Sequence, residues 1–132
     1  ALYNKAAINE EIAQLIGEAI IQVDPALKAM GLAGSVMITC FDELGLETIG
    51  EAFADRSYDN DGNLRNRKYD DSLITDPIKA ANQAKNISNG FVMSVDGSKI
   101  DINAQTLCIH SDTPNAVAIA SAVKDVIQQE EK

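Results

Sequence analysis

Basic residues are scarce: 11 Lys and Arg stand against 20 Asp and Glu, giving a net charge of −9. A nucleic-acid surface needs clustered cations to displace counterions from phosphates, and no such cluster is present. The densest basic stretch, Arg65, Arg67 and Lys68, lies among Asp59, Asp61, Asp70 and Asp71 and reads as a solvated charged loop. The same balance argues against binding to an anionic membrane surface. No apolar run approaches the roughly 18 residues that a membrane span requires. The opening Ala1-Leu2-Tyr3-Asn4-Lys5 lacks the ordered charged and apolar regions of a signal peptide, so a cytoplasmic protein is expected. Histidine occurs once, at His110, and one histidine with scattered carboxylates makes no recognisable metal spacing. The phosphate-cradling pattern G-x-x-x-x-G-K-[ST] is missing. The two cysteines, Cys40 and Cys108, sit in apolar runs and read as buried thiols, with a disulfide as the alternative.

What is there suits one globular domain over residues 1–132, with 45% hydrophobic and 23% charged residues and a polar tail at 128–132. Apolar spacing of three and four predicts a helix over 9–23, with Ile8, Ile12, Leu15, Ile16, Ala19, Ile20 and Val23 on one face. Asn9 is its expected N-cap, Glu10 and Glu11 suit the positive end of the helix dipole, and Asp24-Pro25 stops it. Residues 29–33 read as a buried strand, 36–44 as a short helix closed by Gly45, and 47–54 as a second strand. Residues 55–75 form a long polar loop, of the kind that often carries function.

Asp76-Pro77 opens a further helix running to Gly90. Residues 91–95 and 98–102 flank Asp96-Gly97, a two-residue hairpin signal. An apolar strand over 106–109 ends at His110-Ser111-Asp112. Thr113-Pro114 is then expected to start the last helix, with Ala116, Val117, Ala120, Val123, Val126 and Ile127 facing inward. Short apolar strands alternating with amphipathic helices imply an α/β fold with parallel strands and an inserted hairpin. Sites in such folds form at the carboxyl ends of strands. Three strand ends here are polar or glycine-rich: Gly34-Ser35, Asp55-Arg56 and His110-Ser111-Asp112.

The same positions carry a family resemblance. Glu51-Ala-Phe-Ala-Asp55-Arg56-Ser-Tyr58 is similar to the E-x-F-A-D-R-x-Y motif of the LamB/YcsF family, and Asp61-Gly62-Asn63-Leu64 followed by Arg67 to its D-G-x-L…R continuation. Thr106-Leu-Cys108-Ile-His110-Ser-Asp112-Thr-Pro-Asn-Ala116-Val117 resembles its T-(I/L)-C-(V/I)-H-G-D-x-P-x-A-V signature. Gly31-Leu-Ala-Gly34-Ser35 resembles a further block, and Ala1-Leu2-Tyr3-Asn4 the end of K-P-H-G-A-L-Y-N. These matches run in family order along nearly the whole chain.

The resemblance implies a partial (β/α) barrel related to the seven-stranded barrels of polysaccharide deacetylases. It implies a 5-oxoprolinase role: opening the lactam of 5-oxoproline to L-glutamate, driven by ATP, beside two partner subunits, B and C. Family proteins are about twice this length, so the chain is expected to be a C-terminal half, inactive in isolation. ATP is expected to bind through a partner or through the missing half. Where the family has glycine after the motif histidine, this chain has Ser111, which is expected either to tilt the loop or to mark relaxed selection.

Lactam hydrolysis needs a general base, a proton donor for the leaving nitrogen and a cation or N–H for oxyanion charge. His110 is the acid/base candidate, against a histidine merely hydrogen-bonded at a strand end. Asp112 either orients His110 or caps the last helix. Asp55 and Arg56 either clamp a substrate carboxylate through the Arg56 fork or form a local ion pair. Glu51, in a strand, faces either the site or an outer edge. Tyr3, Asn4 and Ser35 belong to matching blocks and are candidates for substrate contact, with core packing an equal reading for Tyr3. A rival class is a non-catalytic half-barrel that dimerises through its open strand edges. A third is a metal-dependent, deacetylase-like hydrolase, suggested by related architecture alone.

Overall fold

The structure, a computed structural model, describes residues 2–130; Ala1 of the first matching block and the end of the polar tail lie outside the described residues. The chain falls into two compact units, one up to Glu51 and one from Ala52 onward.

The first unit opens with α1 (Leu2–Ala6), a short helix that the periodicity does not announce. α2 (Glu10–Val23) begins where expected: the Asn9 side chain accepts from the Ile12 amide at 3.1 Å. Its inward face differs from the expected one. Ala13 and Gly17 are buried, whereas Leu15 and Val23 are 61% and 80% exposed. The reason is a close approach to α3 (Val36–Glu43). A Cβ built on Gly17 would lie 2.5 Å from Leu44 Cδ1 and 3.2 Å from Phe41 Cδ1, so a larger residue there would have to displace the Leu44 side chain. β1 (Lys28–Leu32) and β2 (Glu47–Phe53) pair in parallel, with Lys28 opposite Glu47 and Leu32 opposite Glu51.

In the second unit, the loop after β2 is stitched by two antiparallel bridges, Arg56 with Leu73 and Tyr58 with Leu64. Arg65 holds it from outside: its guanidinium donates to Asp59 at 2.9 Å and Asp71 at 2.6 Å and lies over the Tyr69 ring. Part of the expected solvated charge is therefore structural. α4 (Pro77–Ser88) starts at the predicted cap, with Asp76 accepting from the Ile78 amide at 2.9 Å. The hairpin joins β3 (Phe91–Met93) to β4 (Lys99–Asp101). Its connection is longer than a two-residue turn: the Gly97 amide bonds the Ser94 carbonyl, the Ser94 amide bonds the Ser98 carbonyl, and Gly97 takes a φ of 82°.

β5 (Thr106–Cys108) follows, and the strand order is β1-β2-β5. The fold is α/β with a parallel pairing, as expected, but this sheet is open; these three strands close no cylinder. α5 (Ala116–Glu130) starts later than Thr113-Pro114. Asn115 stands before it with a φ of 66°, and its carbonyl accepts from the Ile119 amide. That offset turns the helix face. Ile119 and Val123 are buried beside Ala54, Ala80 and Ala84, whereas Val117, expected inside, is 86% exposed.

Candidate active site

β2 ends in a turn whose backbone is held at several polar groups. The Phe53 amide donates to the Tyr58 hydroxyl at 3.1 Å, and the Ala54 amide to the Cys108 carbonyl at 3.1 Å. The Gln83 side-chain amide, reaching in from α4, donates to the carbonyls of Phe53 and Arg56, both at 2.7 Å. The Ile74 amide closes the set on the Asp55 carbonyl at 2.9 Å. Buried peptide groups left without partners are costly, so this network fixes the turn in one conformation. Tyr58, fully buried, also fills the space beneath it.

The turn presents Asp55, whose residue is 0% exposed. Its Oδ2 accepts from the His110 backbone amide at 2.7 Å and from the Thr113 hydroxyl at 2.8 Å. The His110 ring sets Nδ1 3.1 Å from both carboxylate oxygens. A carboxylate only accepts, so Nδ1 carries its proton toward Asp55 and Nε2 is left facing the other way. On that side lies Cys108, its Sγ 3.9 Å from Nε2. Residues 108 and 110 are two apart in an extended segment and so share a face. Phe53 stacks on the imidazole, with centroids 5.4 Å apart and planes 12° from parallel. The His110 side chain keeps 28% of its surface exposed, so this buried carboxylate serves a reachable imidazole.

Of the residues singled out in sequence, Asp55 and His110 come together. Asp112 does not join them. It is exposed and lies four residues before α5, and it is Asp55 that orients His110. Ser111 has no left-handed backbone, so this position does not require glycine for its φ.

Arg56 is 3% exposed. Its Nη2 donates to the Arg65 carbonyl at 3.2 Å, and among the described residues its Nε has no partner and its guanidinium forms no ion pair. Burial, with Arg67 nearby, lowers its pKa from the usual range while Asp55 opposes the shift. The structure thus shows neither the ion pair nor a fork open to solvent. Within the first unit, Glu51 accepts from the Tyr3 hydroxyl at 2.8 Å, Asn4 is exposed, and Ser35 is buried with an unpartnered hydroxyl.

Three contributors escape a reading of the sequence. Thr113 signals only a helix start there, and Gln83 an ordinary helix residue. Cys108 reads as a buried thiol, yet it is only half-buried; no disulfide joins it to the buried Cys40. A cavity of about 320 Å³ lies by Ala84, Ile87, Thr106 and Ile127, at the other end of β5, and none of the candidate residues lines it. Among the described residues no three His, Cys, Asp or Glu side chains are grouped to hold a metal ion. No helix among them is long and apolar enough to cross a membrane.

Fold and site define an α/β chain carrying an aspartate–histidine pair where strand ends meet. The sequence pattern of the LamB/YcsF family matches residues 1–132, and the chain belongs to that family. It is 42% identical over 125 residues to the A subunit of 5-oxoprolinase from Chloroflexus aggregans, covering 94% of this chain and 50% of that protein. To the corresponding 5-oxoprolinase A subunit of Mycolicibacterium gilvum it is 45% identical, with the same two shares, 94% and 50%. It is also similar to the crystal structure of a lactam utilization protein from Thermus thermophilus, with a TM-score of 0.86 and 38% identity over 99% of this chain and 52% of that one. The chain thus spans about half the length of the curated relatives it matches.

Proposed function

We propose that this chain supplies the acid–base centre in the A subunit of a 5-oxoprolinase, working in the cytoplasm of a bacterium with B and C partner subunits and with ATP as co-substrate. The observation that carries this reading is the Asp55–His110 pair: a buried carboxylate fixes one ring nitrogen and leaves the other on an accessible face. Opening a lactam needs a group that takes a proton from the attacking nucleophile and returns one to the leaving nitrogen. An imidazole does both, since its neutral nitrogen accepts a proton and its protonated form donates one. The names of the relatives support the substrate, a cyclic amide. The other half of the relatives' length is proposed to complete a barrel around this centre and to bring the ATP site, since the chain carries no phosphate-binding loop of its own.

The test is ATP-dependent 5-oxoproline hydrolysis with B and C subunits, with and without the N-terminal half of the Chloroflexus aggregans relative. Turnover is expected only with that half present. A reconstituted assembly that turns over equally well with His110→Ala defeats the reading.

A second reading rests on Leu15 and Val23 of α2, exposed at 61% and 80%. Such surface invites association, and a non-catalytic module that self-associates through it would scatter light as a dimer. A stable monomer in solution removes this alternative.

A further inference from the structure

The imidazole in the proposed reaction could activate water directly, but the geometry places another nucleophile in its way. Cys108 Sγ lies 3.9 Å from His110 Nε2, the nitrogen that Asp55 leaves unoccupied by binding Nδ1. We propose that Cys108, His110 and Asp55 form a thiol–imidazole–carboxylate relay, with Cys108 as the covalent nucleophile toward an amide-type carbonyl carbon.

Four observations carry this. The order of groups is that of an activated nucleophile: a thiol within reach of a base, and the base oriented by a third group. A sulfur–nitrogen distance of 3.9 Å is loose, as such contacts often are without substrate. Ring rotation that would break the alignment is opposed from two sides, by Asp55 at Nδ1 and by the Phe53 ring against the imidazole face. Cys108 is half-buried and the His110 side chain keeps 28% of its surface exposed, so the pair is not sealed in the core. The other cysteine shows the contrast. Cys40 is buried, its thiol points to the Glu10 carbonyl, and burial followed by Glu10 and Glu43 pushes its pKa up.

The identity of the electrophile rests on the proposed function; the activation of the thiol does not. With a lactam, the Sγ proton passes to Nε2 and the sulfur electron pair adds to the ring carbonyl carbon. The carbon–nitrogen bond then breaks, its electron pair returns to nitrogen, and nitrogen takes the proton from Nε2. The product is an open chain with a free amine, joined to Cys108 as a thioester. Water next gives a proton to Nε2 while its oxygen adds to the thioester carbon. The carbon–sulfur bond breaks and the sulfur regains the proton. One water is consumed, one lactam becomes one amino acid, and the relay is restored.

The experiment measures alkylation of the chain by iodoacetamide between pH 5 and 10, quantified for each cysteine by peptide mass spectrometry. Cys108 is expected to reach half its maximal rate at least about one pH unit below an ordinary thiol, which titrates near 8.5. His110→Asn is expected to slow Cys108 at pH 6.5 by about tenfold and leave Cys40 unchanged. Wild-type Cys108 reacting only at or above the ordinary thiol range overturns the relay, and that result needs no variant to fold. In the reconstituted assembly, Cys108→Ala is expected to abolish turnover, and wild-type turnover from it overturns the covalent step. An assembly that never hydrolyses 5-oxoproline defeats the proposed function instead, while the alkylation profile still decides the relay.

Discussion

The carboxylate of Asp55 holds His110 twice, by its backbone amide at 2.7 Å and by its ring Nδ1 at 3.1 Å, across 55 residues of sequence. A single side chain therefore sets both where the histidine sits and which nitrogen it offers. Asp55→Asn keeps the shape but adds a donor where Nδ1–H must be accepted. Turnover of the reconstituted assembly should fall about 10²–10⁴-fold, by analogy with the loss of a histidine-orienting carboxylate in hydrolytic triads. Steady-state assays at saturating ATP would read this directly.

Gln83 offers a test of the scaffold apart from the chemistry. Gln83→Leu preserves the bulk and removes the amide that donates to the buried carbonyls of Phe53 and Arg56. The expected cost is roughly 1–3 kcal/mol, seen as a lower urea midpoint at unchanged m-value.

Gly17 should tolerate little. Gly17→Val places methyl groups where Leu44 and Phe41 already stand and should destabilise by about 1–3 kcal/mol. Leu44 is a flexible neighbour, so adding Leu44→Ala should recover part of the loss. A double-mutant cycle with no coupling between the two sites would show that the close approach is not the cause.

Cys40 supplies a pH prediction with a definite sign. A raised thiol pKa means the anion is disfavoured in the folded state, so the neutral thiol persists to higher pH than in the unfolded chain. Alkylation of Cys40 in the native protein should begin only above the range in which it reacts once the chain is unfolded in urea, where it should match an ordinary thiol. By linkage, folding stability loses this contribution as pH rises through the thiol range, measurable by urea unfolding on either side of the ordinary thiol value of about 8.5.

Asn115 tests the start of α5. Its φ of 66° suits Gly or Asn, and its Nδ2 donates to the Thr75 carbonyl at 3.0 Å. Asn115→Ala should cost about 1–2 kcal/mol, and Asn115→Gly less, because glycine keeps the backbone and loses only an exposed hydrogen bond. Thermal unfolding of the two variants side by side would decide.

What can be read from the sequence is what neighbouring residues decide. Asn9 and Asp76 cap their helices because a side-chain oxygen need only reach an amide two or three residues on. The runs at β1 and β2 stand out because each carries apolar residues between bounding glycine or polar residues. Two helix faces differ from expectation, each for its own reason, because periodicity weighs large apolar residues and assumes where the helix starts. α2 instead packs through Ala13 and Gly17, where the absence of a side chain lets helices meet, and α5 is turned by a left-handed residue that no pattern marks.

The site is half legible. The motif carries Asp55 and His110, but proximity in sequence suggests Asp112 as the partner. Chain neighbours of Asp55 and His110 meet instead through the hydrogen bond from Ala54 to Cys108, a long-range event. Gln83 and Thr113 act through that same convergence and have no signal of their own.

The flat contact between Phe53 and the imidazole has a spectroscopic side. Protons held over an aromatic face are shielded by its circulating electrons, so the His110 ring resonances should stand upfield of those of a solvated imidazole. No other histidine exists in the chain to overlap them. Unlabelled protein in heavy water thus contains a built-in reporter, one pair of proton lines that follows ligand arrival or ring displacement without any assignment.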